Sequence, residues 1–288
     1  MALAEPRSVW SLGALLGEGP VWAGDALWFV DIKGPRVHRF TPATGDKKSW
    51  SAPEQIGFLV PSSDGFIAGL QSGLYHFDPA SGAFTPLAEV EAHRPGNRLN
   101  DAVTDRAGRL WFGSMHDGEV DKSGAFYQFH KGLVRSVGID GFAITNGPAL
   151  SPDDRLLYFV DTLRGAIDVA DVADDGTLAN IRSFVRIDPA DGYPDGPTVD
   201  AEGCLWIGLY AGWKARRYSP GGELLQTVRF PVGNITKLAF GSADFRTVFA
   251  TTARQKLTAA ELERQPEAGD LFSFRVETPG LPCPLVAC

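Results

Sequence analysis

One pattern of a turn followed by a strand recurs six times along this chain and limits what it can fold into. The pattern is clearest at residues 144–162, where an isolated amide, a short apolar run, a Pro/Asp turn and an alternating apolar run follow one another. Proline and acidic residues favour the turn, and branched and aromatic residues favour the strand behind it. The large apolar residues of the six repeated strands are Trp28, Ile67, Trp111, Tyr158, Trp206 and Phe249, at separations of 39, 44, 47, 48 and 43 residues.

The length of the repeat selects the architecture. Units of roughly 40 to 50 residues, each with about four short strands, are typical of a β-propeller. Helical periodicity is nearly absent, with residues 257–264 as its best candidate, so the chain is predicted to be almost all β. Six units of 48 residues fill the 288 residues. We therefore expect residues 1–288 to form a single domain, a six-bladed β-propeller with four-stranded antiparallel blades around a central channel.

A closed ring also predicts how the chain ends meet. A propeller has no free sheet edge only if its first and last blades join, so residues 8–15 are expected to complete the last blade. No heptad or unpaired edge indicates assembly, and a monomer is expected.

Composition excludes several classes of partner. A net charge of −8 and a pI near 5.2 argue against nucleic acid or an anionic membrane, which the surface would repel. The N-terminus lacks a secretion signal and no apolar run approaches the roughly 20 residues of a membrane span, so a cytoplasmic protein is expected. Cys204, Cys283 and Cys288 form no spaced framework and are expected to be reduced.

Polar residues occupy equivalent positions in four of the six units. Glu18, Asn100, Asn146 and Asp195 lie 10, 11, 12 and 11 residues before the large apolar residues of their units, whereas residues 56–57 and 234–236 carry no charge there. Equivalent positions lie at one end of the channel, so two carboxylates and two amides converge. Crowded carboxylates are costly unless a cation neutralises them, and oxygen ligands suit Ca²⁺, Mg²⁺, Mn²⁺, Fe²⁺ or Zn²⁺.

Each of these residues also has a simpler interpretation. Glu18 is compatible with a solvated loop, and the two asparagines and Asp195 with turns in which they bond their own backbone. Arg98, two residues before Asn100, is either a contact for a substrate hydroxyl or carboxylate or a surface arginine. His116 follows a strand near the proposed channel mouth and is a candidate substrate contact. No serine-hydrolase elbow, P-loop, dinucleotide-binding or zinc-protease motif occurs.

Several motifs in sequence order resemble one known family. They are Gly17-Glu-Gly-Pro-Val-Trp22, Arg98-Leu-Asn-Asp101, Thr145-Asn-Gly-Pro148 and Tyr193-Pro-Asp-Gly196, with Leu-Trp pairs behind three of them. This set resembles the senescence-marker-protein, gluconolactonase and regucalcin-like family. The resemblance implies a six-bladed propeller with a single divalent ion near the channel mouth.

The resemblance also assigns roles. Glu18, Asn146 and Asp195 match the family's metal ligands, while Arg98, Asn100 and Glu119 match positions that line its substrate pocket. The segment at residues 111–119 looks closest to bacterial sugar lactonases of pentose oxidation, xylonolactonases in particular.

The expected function is metal-dependent hydrolysis of a sugar lactone to its aldonic acid. Xylonolactone or a related pentono- or hexonolactone is the expected substrate, Asp195 the expected general base, and one ion of Fe²⁺, Zn²⁺, Mn²⁺ or Ca²⁺ the cofactor. A non-catalytic calcium- or sugar-binding propeller of the regucalcin type is the alternative. A scaffold for protein partners is a third interpretation.

Overall fold

A computed structural model describes residues 5–288, which form 24 strands, one short α-helix and one 3₁₀ turn. The strands are β1 Arg7–Trp10, β2 Gly17–Ala23, β3 Ala26–Asp31, β4 Arg36–Thr41, β5 Asp46–Ser51, β6 Ile56–Ser62, β7 Gly65–Leu70, β8 Gly73–Asp78, β9 Ala83–Glu89, β10 Asn97–Thr104, β11 Leu110–His116, β12 Gly124–His130, β13 Leu133–Phe142, β14 Thr145–Leu150, β15 Leu156–Asp161, β16 Ala166–Val172, β17 Leu178–Arg186, β18 Tyr193–Val199, β19 Leu205–Tyr210, β20 Lys214–Tyr218, β21 Leu224–Arg229, β22 Ile235–Gly241, β23 Thr247–Thr252 and β24 Leu271–Arg275.

These strands build an all-β, propeller-like fold with antiparallel four-stranded blades. Four separate sheets have the orders β2-β3-β4-β5, β6-β7-β8-β9, β10-β11-β12-β13 and β14-β15-β16-β17. The remaining strands form one eight-stranded sheet in the order β1-β24-β23-β22-β18-β19-β20-β21. A single parallel pairing, Gly196 with Lys237, joins β18 to β22 and so links the two antiparallel halves of this sheet.

The two ends of the chain meet in the eight-stranded sheet. Strand β1 pairs antiparallel with β24, with Arg7 opposite Ser273 and Trp10 opposite Leu271. The predicted closure is therefore present, although the strand spans Arg7–Trp10 rather than residues 8–15. The edge of β24 is paired by the N-terminal segment and is not left free.

The repeated turns are held by buried polar side chains. Asp105 accepts hydrogen bonds from the backbone N–H groups of Ala107 and Arg109 and from Trp111 Nε1, which is 2.9 Å away. Asp200 makes the equivalent contacts with Glu202 N, Cys204 N and Trp206 Nε1. All six large apolar residues of the repeat are buried, and they lie in β3, β7, β11, β15, β19 and β23, each paired with the strand that precedes it.

Helical structure is limited to one short segment. The helix α1, Ala259–Arg264, begins two residues later than the predicted segment 257–264. Thr258 caps it by accepting a hydrogen bond from Glu261 N, and the Glu261 carboxylate in turn bonds the Thr258 backbone. The 3₁₀ turn spans Pro189–Asp191. No helix in residues 5–288 has the length and apolar character required to cross a bilayer.

Candidate active site

The first strand of every unit is irregular at the same point. Pairing shifts register between Glu18 and Val21, Ile56 and Phe58, Leu99 and Ala102, Asn146 and Ala149, Pro194 and Pro197, and Ile235 and Leu238. A bulge bends a strand and redirects the side chains beside it. The same irregularity thus recurs in six first strands, and in four of them a predicted polar residue, Glu18, Asn100, Asn146 or Asp195, lies at it.

A cavity of about 300 Å³ lies where these residues converge. Six of the seven predicted site residues line it: Glu18, Arg98, Asn100, Glu119, Asn146 and Asp195. Tyr193 and Tyr210 supply aromatic surface, and Gln255 and Lys256 come from the segment after β23. The structure therefore gathers the predicted site residues, which are up to 177 positions apart from Glu18 to Asp195, around one space.

His116 is the predicted site residue that does not line the cavity. Its ring is half-buried, and Nδ1 lies 3.4 Å from Val120 N and 3.3 Å from Asp121 N. These contacts hold the turn that carries Glu119. The proposed contact between His116 and substrate stays a prediction.

A chain of hydrogen bonds orients the amides and the guanidinium. Arg98 donates to Asp117 Oδ1 at 3.0 Å and to Asn100 Oδ1 at 2.6 Å. Asn100 Nδ2 donates to Asn146 Oδ1 at 3.1 Å and to Thr145 O at 2.6 Å. Asn146 Nδ2 donates to Thr162 Oγ1 at 2.9 Å. Both amide oxygens keep an unused lone pair, so each remains able to accept from a ligand.

Two buried carboxylates face each other across the cavity. Burial, followed by the charge of Asp101, raises the pKa of Glu18 to about 8, against the opposing effects of Lys237 and Arg98. Burial and the neighbouring charge of Glu18 raise the pKa of Asp195 well above its usual range. Within residues 5–288, Glu18 Oε2 accepts from Gly19 N at 2.7 Å, whereas no hydrogen bond reaches the Asp195 carboxylate. The two groups therefore lack the counter-charge that would keep both ionised.

The donor set fits a hard cation. The lining residues include no His or Cys, and the oxygens of Glu18, Asn146 and Asp195 converge there. Residues 5–288 contain no group of three His, Cys, Asp or Glu side chains arranged for a metal. In this cavity the third proposed oxygen ligand belongs to an amide, that of Asn146. Two carboxylates and an amide oxygen are suitable ligands for an oxygen-preferring divalent ion, which would offset their repulsion.

Two residues of opposite charge, Glu119 and Lys256, are in contact at the rim of the cavity. Glu119, which has a left-handed backbone φ of 58°, accepts a hydrogen bond from Lys256 Nζ across the opening. Lys256 is 59% exposed, so water reaches this pair. A pair of this kind is weak, because solvent screens it, and a bound ligand can replace either partner.

Three polar residues of this region were not among the predicted site residues. Asp117 accepts hydrogen bonds from Lys33, Gln55 and Arg98 and so fixes the guanidinium. Asp101 and Lys237 form a buried ion pair that does not line this cavity. Asp101 directly follows Asn100, and Lys237 directly follows the uncharged stretch 234–236. Each therefore lies one residue after the repeated position at which the polar residues were predicted.

A second cavity of about 450 Å³ lies further along the same strands. Its walls are largely apolar and include Val21, Val60 and Leu238, and residues 281–284 of the C-terminal segment lie against it. The two cavities share no lining residue. Asp101 and Lys237 line the larger cavity only. The converging polar groups identify the smaller cavity as the candidate active site.

Glu18 and Asp195 are expected to make the metal-free protein less stable as the pH rises. Because the folded state raises both pKa values, it binds more protons than the unfolded chain, and stability falls from about pH 4.5 to about pH 8, the two values that apply to Glu18. Thermal unfolding in the presence of EDTA should show that Glu18→Gln gains several degrees of melting temperature relative to wild type across this window.

The matched control for this measurement is Glu223→Gln, which changes an exposed carboxylate in the same manner. Its melting temperature should keep a constant offset from that of wild type. A constant offset for Glu18→Gln as well would contradict the burial argument.

The comparison with known proteins covers nearly the whole chain. Residues 16–254 match the family model described as the SMP-30/gluconolactonase/LRE-like region. The chain is 32% identical over 280 residues to the 6-deoxy-6-sulfogluconolactonase of Pseudomonas putida, covering 95% of this chain and 96% of that protein. It is 34% identical over 273 residues to the L-arabinolactonase of Azospirillum brasilense, covering 92% and 90%. A calcium-binding protein, regucalcin, from Agrobacterium tumefaciens strain C58 superimposes with a TM-score of 0.95 at 28% identity, covering 99% of this chain and 98% of that one.

Proposed function

The chain belongs to the SMP-30/gluconolactonase/LRE-like family, and we propose on this basis that it hydrolyses a sugar lactone to the corresponding aldonic acid. The observation that carries the proposal is the convergence of Glu18, Asn146 and Asp195 on one cavity that also holds Arg98, Asn100 and Glu119. Relatives named for a sulfogluconolactone and for L-arabinolactone support a pentono- or hexonolactone as substrate. Xylonolactone is the first candidate, from the segment at residues 111–119.

The proposal includes one divalent ion, held by Glu18, Asn146 and Asp195. Such an ion would act as a Lewis acid and stabilise the negative charge that develops on the lactone carbonyl oxygen. The fit rests on the two buried, mutually repelling carboxylates and on the amide of Asn146, which lines the same cavity and is oriented by its hydrogen bond to Thr162. Fe²⁺, Zn²⁺, Mn²⁺ and Ca²⁺ all accept oxygen ligands, and the similarity to a calcium-binding regucalcin supports Ca²⁺ as one of these.

The same proposal extends to the architecture. The halves β18–β21 and β22–β24 with β1 meet at a single residue pair, whereas strands within each half pair along their length. We assign them as the fifth and sixth blades of a six-bladed propeller that forms one domain.

Arg98 and its partners position the substrate. Asp117 holds the Arg98 guanidinium, which in turn fixes Asn100. The free lone pair on Asn100 Oδ1 accepts a sugar hydroxyl, and Glu119 accepts another once Lys256 moves away. Tyr193 and Tyr210 line the same cavity and cover the apolar face of the sugar ring. These contacts fix the carbonyl carbon near Asp195.

Asp195 is the general base. Its carboxylate accepts no hydrogen bond from the described part of the chain, which leaves an oxygen for the attacking water. Asp195 takes one proton as the water oxygen bonds to the carbonyl carbon, and it returns that proton to the ring oxygen as the ring C–O bond breaks. An ion held beside Asp195 would keep its carboxylate ionised and so able to accept a proton.

The direct test is acid release from fresh aldonolactones. We expect acid production at constant pH from a panel of xylono-, arabinono- and gluconolactone, because every turnover liberates a carboxylic acid. EDTA should remove at least 90% of the enzyme-dependent rate, and adding back one of the four ions should restore it. A rate that EDTA leaves unchanged would contradict the role of the ion, and the absence of turnover with any lactone and any ion would contradict hydrolysis.

The same experiment separates the alternative, a calcium- or sugar-binding propeller without catalysis. The structural similarity to a calcium-binding regucalcin favours this binding protein as the second candidate function. It predicts calorimetric binding of Ca²⁺ without acid release from any lactone of the panel.

A further inference from the structure

Lys237 and Asp101 form an ion pair between two strands that do not pair with each other. Asp101 lies in β10 and Lys237 in β22, and Lys237 Nζ donates to Asp101 Oδ1. The side chains are 1% and 9% exposed. Lys237 Nζ also lies 3.4 Å from Ala102 O, so the ammonium is engaged with protein oxygens on one side. Neither residue lines the candidate active site.

The pair nevertheless touches the backbone beside two proposed metal ligands. Asp101 Oδ2 accepts from Gly147 N at 2.9 Å, and Gly147 follows Asn146 in the sequence. The Lys237 side chain packs on Gly196, which follows Asp195: a Cβ at Gly196 would lie only 2.6 Å from Lys237 Cγ. Glycine at position 196 is thus required for the lysine stem to pass. The pair therefore contacts the irregular parts of β14 and β18 that carry Asn146 and Asp195.

The pair also acts on the site through its charges. The charge of Asp101 interacts with those of Glu18 and Asp195, and the charge of Lys237 interacts with that of Glu18. Three carboxylates, those of Glu18, Asp195 and Asp101, therefore share one buried region with the Lys237 ammonium and with the Arg98 guanidinium, which also binds Asp117. Without the ammonium the net charge of the region would be more negative by one, which strengthens the electrostatic attraction for a cation.

We propose that Lys237 and Asp101 are positioning residues that together set the affinity of the site for its divalent ion. This proposal rests on the proposed function, since it concerns the ion held by Glu18, Asn146 and Asp195. Lys237 is a fixed internal cation that weakens ion binding, and Asp101 is a fixed internal anion that strengthens it while holding Gly147. Neither touches substrate, and their opposed charges keep the ion bound at moderate strength.

The test is metal binding by four proteins: wild type, Lys237→Met, Asp101→Asn and the double variant. Each is stripped of metal and titrated with Mn²⁺ and with Ca²⁺ at pH 8 by calorimetry, with a fluorescent chelator as competitor. Methionine keeps the apolar stem on Gly196 and removes only the charge. We expect Lys237→Met to bind the ion about tenfold more tightly and Asp101→Asn about tenfold more weakly, from the Coulomb effect of one buried charge. The double variant should lie within about threefold of wild type.

Opposite signs distinguish this role from structural damage, which would weaken binding in both single variants. Weaker binding in both, or no change in either, would overturn the proposal while the proposed function stands. If wild type binds neither ion, the proposal falls together with the metal site. If Lys237→Met does not fold, the comparison of the double variant with Asp101→Asn decides: the double variant must bind about tenfold more tightly, and equal binding would overturn the proposal.

Discussion

Replacing Asp195 with Asn is expected to lower kcat/KM for the hydrolysed lactone by about 1,000-fold or more, with little change in the folded structure. The variant keeps one oxygen for an ion but cannot take a proton from water, and it removes one of two buried negative charges. Loss of a general base and of electrostatic stabilisation at one residue together reach this size. Initial rates of acid release measure the effect, and the metal content of the purified variant shows whether the ion is retained.

The metal content then divides the two roles of Asp195. A variant that retains the ion but lacks turnover has lost the base, whereas one that has lost both has lost a ligand. Glu223→Gln, on the exposed surface before β21, is the matched control and should keep wild-type rates. Activity of Asp195→Asn within tenfold of wild type would contradict the mechanism.

Replacing Asp200 with Ala should destabilise the fold by about 3 kcal/mol or more, the largest stability effect that we expect from a single polar residue. Asp200 is fully buried and accepts from Trp206 Nε1 at 2.9 Å and from Arg217 Nε at 2.7 Å. Alanine would leave the guanidinium without its buried partner and two backbone N–H groups at the turn without acceptors. Urea unfolding, followed by tryptophan fluorescence, provides the free energy of unfolding.

The repeat offers its own comparison for this effect. Asp105 makes the same contacts with Trp111 and Arg109 in another unit, so Asp105→Ala should lose a similar free energy. Ser151 occupies the corresponding turn with a neutral hydroxyl that accepts from Leu156 N, and Ser151→Ala should lose about 1 kcal/mol. Equal losses for Ser151→Ala and Asp200→Ala would show that the buried charge is not the cause.

Much of the fold could be predicted because each unit repeats one local solution. Trp111 and Trp206 lie in equivalent strands of their units, and the turns before them have Asp and Gly at the same positions. Aligning the units therefore located both the core residues and the beginning of the first strand of each unit. The convergence of Glu18 with Asp195 followed from ring geometry alone. The limits of β1 did not, because its pairing depends on where β24 begins, which the repeat pattern does not encode.

The sequence did not reveal the residues that support the site, and the reason is physical. Asp117 contacts Arg98 from a loop of the same unit, Lys237 contacts Asp101 from a different unit, and neither Asp117 nor Lys237 sits at the repeated position. A lysine in a strand is usually solvated at an edge. Only the three-dimensional structure shows that this one is buried below two carboxylates.

The separation of the two cavities has a consequence for how substrate enters and product leaves the site. The smaller cavity shares no lining residue with the larger one, so we expect a sugar bound beside Asp195 to arrive and to depart on the same side of the cavity. The acid formed by ring opening then leaves by the route through which the lactone entered, and the next lactone binds only after the product is released. Glu119 lies at the rim of this cavity, and once Lys256 has moved, the carboxylate that accepts a hydroxyl of the neutral lactone would repel the anionic product.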